Sequence, residues 1–212
     1  ATRVNASGLI ETVATGVPRL EYPLVNGVVN GCPSLLLEPA STNLITYSND
    51  TISGWGGFNY GGSSLTEQFG VLSPEGSNNA TRLTYTSSGS GGALLTTNIT
   101  LVANAEYTLS FYAKNISGIK QIRLDLRNSS SSGVSGSSTT LTNEWQRYTQ
   151  TYVMDGSTNR GVQIRLLDSE FSGDRIFDMW GIQLEQSGYA TSVIPTSGSA
   201  VTRVADTASG SG

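Results

Sequence analysis

Histidine is absent from the 212 residues. That removes Ser-His-Asp and Cys-His catalysis, histidine metal sites and the usual general base near neutral pH. Charge is scarce as well: 12 Lys and Arg with 16 Asp and Glu make up 13% of the chain, roughly half the globular average. No Lys/Arg cluster offsets the formal net charge of −4, so a phosphate backbone is repelled and no nucleic-acid partner is expected. No apolar run approaches the ~18 residues of a membrane span, and no membrane insertion is expected. Cys32 is alone, which leaves no intrachain disulfide. The opening ATRVNASG has neither the basic nor the apolar region of a signal peptide, and no initiator Met. The chain therefore reads as a processed product or a piece of something longer, and it is expected to belong to a larger multidomain or oligomeric protein.

What is abundant is Gly, at 25 residues, together with Ser, Thr and Asn. These residues favour strands, turns and caps over helix interiors, and no stretch sustains a 3.6-residue apolar period. Alternation of period two recurs instead. It runs through NATRLTYTS (79–87) and YTLSFYAK (107–114), where Tyr107, Leu109, Phe111 and Ala113 share a face. It continues in IKQIRLDLRN (119–128), WQRYTQTYVM (145–154), RGVQIRLLD (160–168) and RIFDMWGIQLEQ (175–186). Such runs every 10 to 20 residues, separated by turn signals, predict an all-β antiparallel β-sandwich. GWGGFNYGGSS (54–64) reads as a Gly-rich loop carrying aromatics, and SSSSGVSGSSTTLTN (129–143) as a connector.

Three segments carry a resemblance: SLLLEPASTNLITYSND (34–50), YTLSFYAKNISG with the later WQRYTQTY, and MWGIQLEQSGYATSVIPTSGSAVTRVAD (179–206). Together they resemble a group of jelly-roll domains found in bacteriophage tail and structural proteins and beside polysaccharide-degrading enzymes. The group is similar to carbohydrate-binding modules with the galactose-binding-domain-like sandwich. The resemblance implies jelly-roll topology over 34–206, with residues 1–33 an extended segment packing on the sandwich and 207–212 a flexible tail. It further implies that a concave sheet or the edge loops receive a glycan, in an extracellular or virion-associated setting. Architecture transfers across such a group more reliably than ligand.

Sugars are held by aromatic faces stacked on C–H groups and by planar polar side chains that bond hydroxyls in pairs. The first device points to Trp55, Phe58 and Tyr60, with Trp55 either stacking on a ligand or plugging the loop from beneath. Trp145 and Trp180 sit inside strong strands and are assigned to the core. The second device points to Arg123, Asp125 and Arg127 on one face of their strand, joined by Gln163 and Arg165 if the two strands share a sheet. The alternative is that these residues pair with one another across a solvated face. If they bind, replacing Arg123 and Arg165 by Ala should abolish glycan retention and leave melting unchanged.

Structural Ca²⁺ is the one cofactor expected from the resemblance, with oxygen ligands offered by Asp168, Glu170 and Asp174. Asp178, Asn49 and Asp50 offer more. The spacing fits a solvated turn equally well.

Two further readings stand beside carbohydrate binding. A polysaccharide-degrading enzyme needs two carboxylates facing each other across a sugar, Asp125 with Asp178 for example, but no histidine base is available and no catalysis is expected. A structural or oligomerisation module of a phage tail or capsid fits the resemblance as well.

Overall fold

The computed structural model describes residues 1–128, 134–154 and 159–208. The first 43 residues form short strands: β1 (Thr2–Val4), β2 (Ile10–Thr12), β3 (Leu20–Glu21), β4 (Leu24–Val25), β5 (Val28–Val29), β6 (Ser34–Leu35) and β7 (Ser41–Asn43). A single helical turn, α1 (Thr51–Gly54), follows, with Asp50 capping it through the Ile52 and Ser53 amides. The long strands then run β8 (Gly56–Tyr60), β9 (Ser64–Leu72), β10 (Asn78–Thr86), β11 (Gly92–Thr100), β12 (Glu106–Gly118), β13 (Gln121–Asn128), β14 (Val134–Thr140), β15 (Gln146–Val153), β16 (Asn159–Leu167) and β17 (Arg175–Glu185). β18 (Val201–Arg203) closes the order by pairing with β7.

Two five-stranded antiparallel sheets carry the fold, in the orders β15-β12-β17-β10-β9 and β14-β13-β16-β11-β8. Here they are called the first and second sheet. The main core lies between them. Leu83, Tyr85, Tyr107, Leu109, Phe111 and Phe177 come from the first sheet, and Ala93, Leu95, Ile122, Leu124, Val162 and Ile164 from the second. Period-two alternation on β12, β13 and β16 therefore places its apolar members inward as expected. This is the all-β sandwich anticipated from the sequence.

β17 departs from clean alternation. Phe177 and Met179 face the core, yet so do Ile182 and Leu184, while Trp180 faces outward. Gly181, at φ 64°, absorbs the extra residue opposite β12, where the register shifts between Ser110 and Tyr112. A bulge of this kind flips every side chain beyond it. The Trp180 ring thereby joins a second apolar cluster on the outside of the first sheet, with Val4, Ile10, Ala80, Tyr112 and Val193. That cluster is the contact by which the N-terminal segment covers the sheet, and it makes β12 buried on both faces through Tyr107–Ala113.

Polar staples hold the covering segments. Asn43, fully buried, donates to the Ile182 and Ile194 carbonyls and accepts from the Ile45 and Leu184 amides. Arg19 donates to the Thr2 carbonyl, Glu38, Ser192 and Asp206, and Arg203 bonds Glu38, Ser192 and the Pro39 carbonyl.

Candidate functional site

The second sheet has an outer face, and the cross-strand register assembles it row by row. Ser138, Arg123, Arg165, Leu94 and Phe58 stand side by side across all five strands. The next row is Gly136, Asp125, Gln163, Thr96 and Gly56. On the other side of Phe58, Tyr60 pairs with Gly92, which pairs with Leu167. Residues on β8, β13 and β16 that lie far apart in sequence thus share one surface, because paired residues in an antiparallel ladder point the same way.

The aromatic stretch 54–64 is not a loop as expected. Gly56–Tyr60 is the edge strand β8 of the second sheet. Its outward aromatic side chains are exposed on that face: Phe58 is 61% exposed and Tyr60, which lies over Gly92, 39%. Their ring centroids lie 6.0 Å apart with a 32° tilt, forming a two-ring platform. Gly92 makes room for it, since a Cβ there would lie 2.7 Å from the Tyr60 hydroxyl oxygen and 2.7 Å from Leu167 Cδ2. Trp55 does not join the platform. It sits in the main core and directs Nε1 at the Tyr47 carbonyl, so of its two readings the plug is the one realised.

Behind the aromatics lies a charged group that is largely self-matched. The fully buried carboxylate of Asp125 accepts from Arg123 Nε at 2.8 Å and from Arg165 Nη1 at 2.9 Å. Glu170 contacts both guanidinium groups, at 3.0 Å from Arg165 and 3.6 Å from Arg123. The hydrogen bond to Asp125 holds the Arg123 guanidinium above its ordinary pKa, against the opposing effect of burial. Gln163 is buried opposite Asp125 on the neighbouring strand. Arg127 lies on β13, but its side chain falls outside the described residues. Arg123, Asp125, Gln163 and Arg165 thus gather on one face, and the two arginines pair there with Asp125 and Glu170.

The three acids expected to ligate calcium are directed elsewhere. Asp168 is a hydrogen-bond hub, accepting from Tyr85 Oη at 2.7 Å, Ser87 Oγ at 2.7 Å, the Gly91 amide at 3.0 Å and Ser63 Oγ at 3.1 Å. Burial by itself raises its pKa, but the bonds from Ser87, Tyr85, Gly91 and Ser63 outweigh that and hold it well below the usual carboxylate range. Glu170 is drawn to Arg165 and Arg123, and Asp174 accepts from the Ser87 amide. Among the described residues no three acidic, histidine or cysteine side chains converge as a ligand set, which corrects the expectation for Asp168, Glu170 and Asp174 as a trio. The acid pair Asp125 and Asp178 is separated too. Asp178 lies on the outer face of the first sheet, held by Arg82 and Lys114, with the whole sandwich between it and Asp125.

Residues 44–167 match a family model described as Carbohydrate binding domain. The chain belongs to that family. Its match spans β8 to β16 and so includes the whole outer face of the second sheet. No curated protein matches the sequence. Among solved structures the carbohydrate-binding domain is similar to the family 11 carbohydrate-binding module of Clostridium thermocellum in complex with a β-1,3-1,4-mixed-linked tetrasaccharide. The two share 12% identity at a TM-score of 0.52, over 71% of this chain and 98% of that one. It is similar also to the enzymatically active domain of tailspike protein 4 of bacteriophage CBA120, at 14% identity and a TM-score of 0.52, over 67% of this chain. The matched part spans 21% of the tailspike chain. Identities this low establish a shared sandwich fold. The carbohydrate-binding family is a non-catalytic one, and the described residues contain no helix long and apolar enough to cross a membrane.

Proposed function

We propose that the outer face of the second sheet binds a polysaccharide segment. Phe58 and Tyr60 stack on sugar rings, while Arg123, Arg165 and Gln163 bond hydroxyls deeper on the face. The observation that supports it most is the two-ring aromatic platform, exposed on the same sheet face as the guanidinium and amide groups. Because Asp125 and Glu170 match the charge of Arg123 and Arg165, recognition rests on stacking and hydroxyl bonding. A neutral polysaccharide fits this better than an acidic one. The domain acts as the non-catalytic targeting part of a larger viral or microbial surface protein, in an extracellular or virion-associated setting.

The test is affinity electrophoresis against soluble β-glucans, xylan, galactan and anionic polysaccharides, with calcium and with EDTA. Retardation by one neutral class that persists in 0.5 M NaCl (a Debye length of about 4 Å) is expected, as is its loss in Phe58→Ala/Tyr60→Ala. Retardation by anionic polymers alone, abolished by salt, would overturn the neutral assignment.

A second reading draws on the surface of the covering segments. Val17, Val25, Val28, Leu35, Leu37 and Val204 are all more than half or close to half exposed there. Val17, Leu35, Leu37 and Val204 line one groove, and apolar exposure gathered in this way favours contact with a second copy of the chain. A dimer or trimer by light scattering at micromolar concentration would support it, and a strict monomer would remove it.

A further inference from the structure

The far end of the sandwich carries a groove that the outer-face site does not use. It occupies ≈430 Å³ between the segment preceding β7 and the segment following β17, within the roughly 300–1,000 Å³ of small-ligand sites. No acidic or basic side chain lines it. Two groups on its rim stand out. Tyr189 is 55% exposed, and no aromatic partner stacks on its ring. Gln186 is exposed and its amide makes no hydrogen bond among the described residues.

The groove is also stiff. Glu185, fully buried, accepts from Ser41 Oγ at 2.6 Å, from the Thr191 amide at 3.0 Å and from the Thr191 hydroxyl, so one carboxylate locks both walls. The Ser187 carbonyl is held by Thr108 Oγ1 at 2.7 Å. A Ser41 hydroxyl that donates to Glu185 keeps its lone pairs free to accept from a ligand O–H. Both walls are therefore set before any ligand arrives, which lowers the ordering cost of binding.

We infer that this groove is a second carbohydrate subsite, taking a single neutral pyranose unit with its C–H face on Tyr189 and its hydroxyls on Gln186 and Ser41. A ring with one apolar face and hydroxyls around its edge matches an exposed phenol beside an unpaired amide, and the lack of charge disfavours uronic acids and phosphates. The inference shares with the outer-face reading only the premise that the chain binds carbohydrate. Tyr60 lies near the end of the sandwich where β17 begins, through Gly91, Asp168 and Tyr85, the partner of Arg175. Tyr189 lies beyond the other end of that 11-residue strand, on the order of 30 Å away at ~3.3 Å per residue. A short oligosaccharide reads the two sites separately, and a long chain meets both.

Isothermal titration with the β-1,3-1,4-mixed-linked tetrasaccharide, cellotetraose and xylotetraose decides the matter, using wild type, Phe58→Ala/Tyr60→Ala, Tyr189→Ala and Tyr189→Phe. The expected result is about two ligands per wild-type chain and about one in each alanine variant, with Tyr189→Phe like wild type because the stacking face is retained. All binding lost in Phe58→Ala/Tyr60→Ala, with Tyr189→Ala unchanged, would overturn the second subsite and leave the outer-face reading standing. All binding lost in Tyr189→Ala, with the Phe58/Tyr60 variant unchanged, would support the groove and overturn the outer face. No heat with any of the sugars overturns both. Circular dichroism of each variant, with Tyr189 exposed at the surface, guards against an unfolded chain.

Discussion

Asp125 shows how a single buried carboxylate changes what a surface mutation means. From the sequence, Arg123 and Arg165 were separable binding groups whose loss would leave melting alone. In the structure both donate to a carboxylate with no exposure, so removing both strips a buried charge of two charged donors. Arg123→Ala/Arg165→Ala is expected to destabilise the fold by about 3 kcal/mol, the scale for breaking a buried pair from one side. Removing Asp125 with the two arginines should recover part of that, which chemical denaturation of the double and triple variants measures. Asp168 makes the same point through pH. Its folded pKa lies below the ordinary carboxylate value, so the stabilisation it supplies is fully present above about pH 4. It is lost progressively as pH falls below that, because the unfolded chain takes up the proton first. Asp168→Asn should lower the melting temperature at pH 7 and flatten the acid limb of the stability curve. An unchanged acid limb in the variant would show that other carboxylates set it.

At the scale of elements, the strands with clean alternation were legible and the irregular ones were not. β12, β13, β15, β16 and β17 fall within a residue or two of where period two places them, apart from the longer C-terminal end of β12. The sequence of β8 reads as a loop because Gly and an aromatic cluster resemble a turn. Only its pairing with β11 makes it a strand, and pairing is not visible in a local window. β14 was hidden for the same reason, its Ser and Thr having no apolar alternation to announce it. The candidate face fared similarly. Residue type alone points to Phe58, Tyr60, Arg123, Asp125, Gln163 and Arg165, but that they stand in adjacent rows is a property of strand order. Leu94 and Thr96 in the middle of the face went unnamed, because nothing about an apolar and a hydroxyl residue on one strand signals a ligand. The β17 bulge at Gly181 is testable here. A Cβ in that left-handed conformation is strained, so Gly181→Val should cost about 1–3 kcal/mol and, by loosening Trp180, shift its fluorescence to longer wavelength in the folded protein.

For the whole molecule, the two sheets have unequal surroundings. The first is packed on both faces, inside by the main core and outside by the N-terminal segment over Tyr112 and Trp180. The second is packed on one face and leaves the other to its aromatics and paired charges. A chain lacking residues 1–33 would bare the Trp180 cluster. Binding of a hydrophobic dye and concentration-dependent aggregation are expected from it, and a stable dye-negative monomer would show that the segment is dispensable.

The knot at Arg19 bears on how such a domain would carry a pull. One guanidinium bonds the Thr2 carbonyl and the Asp206 carboxylate together, and Glu38 and Arg203 tie in from either side. Tension applied between residues 2 and 206 therefore loads this clasp first, and the force runs along the covering segments without crossing the strands that present Phe58 and Tyr60. A tether anchored at both points could be tugged hard while the sugar-facing surface stays in shape, and the clasp would be the first part to yield.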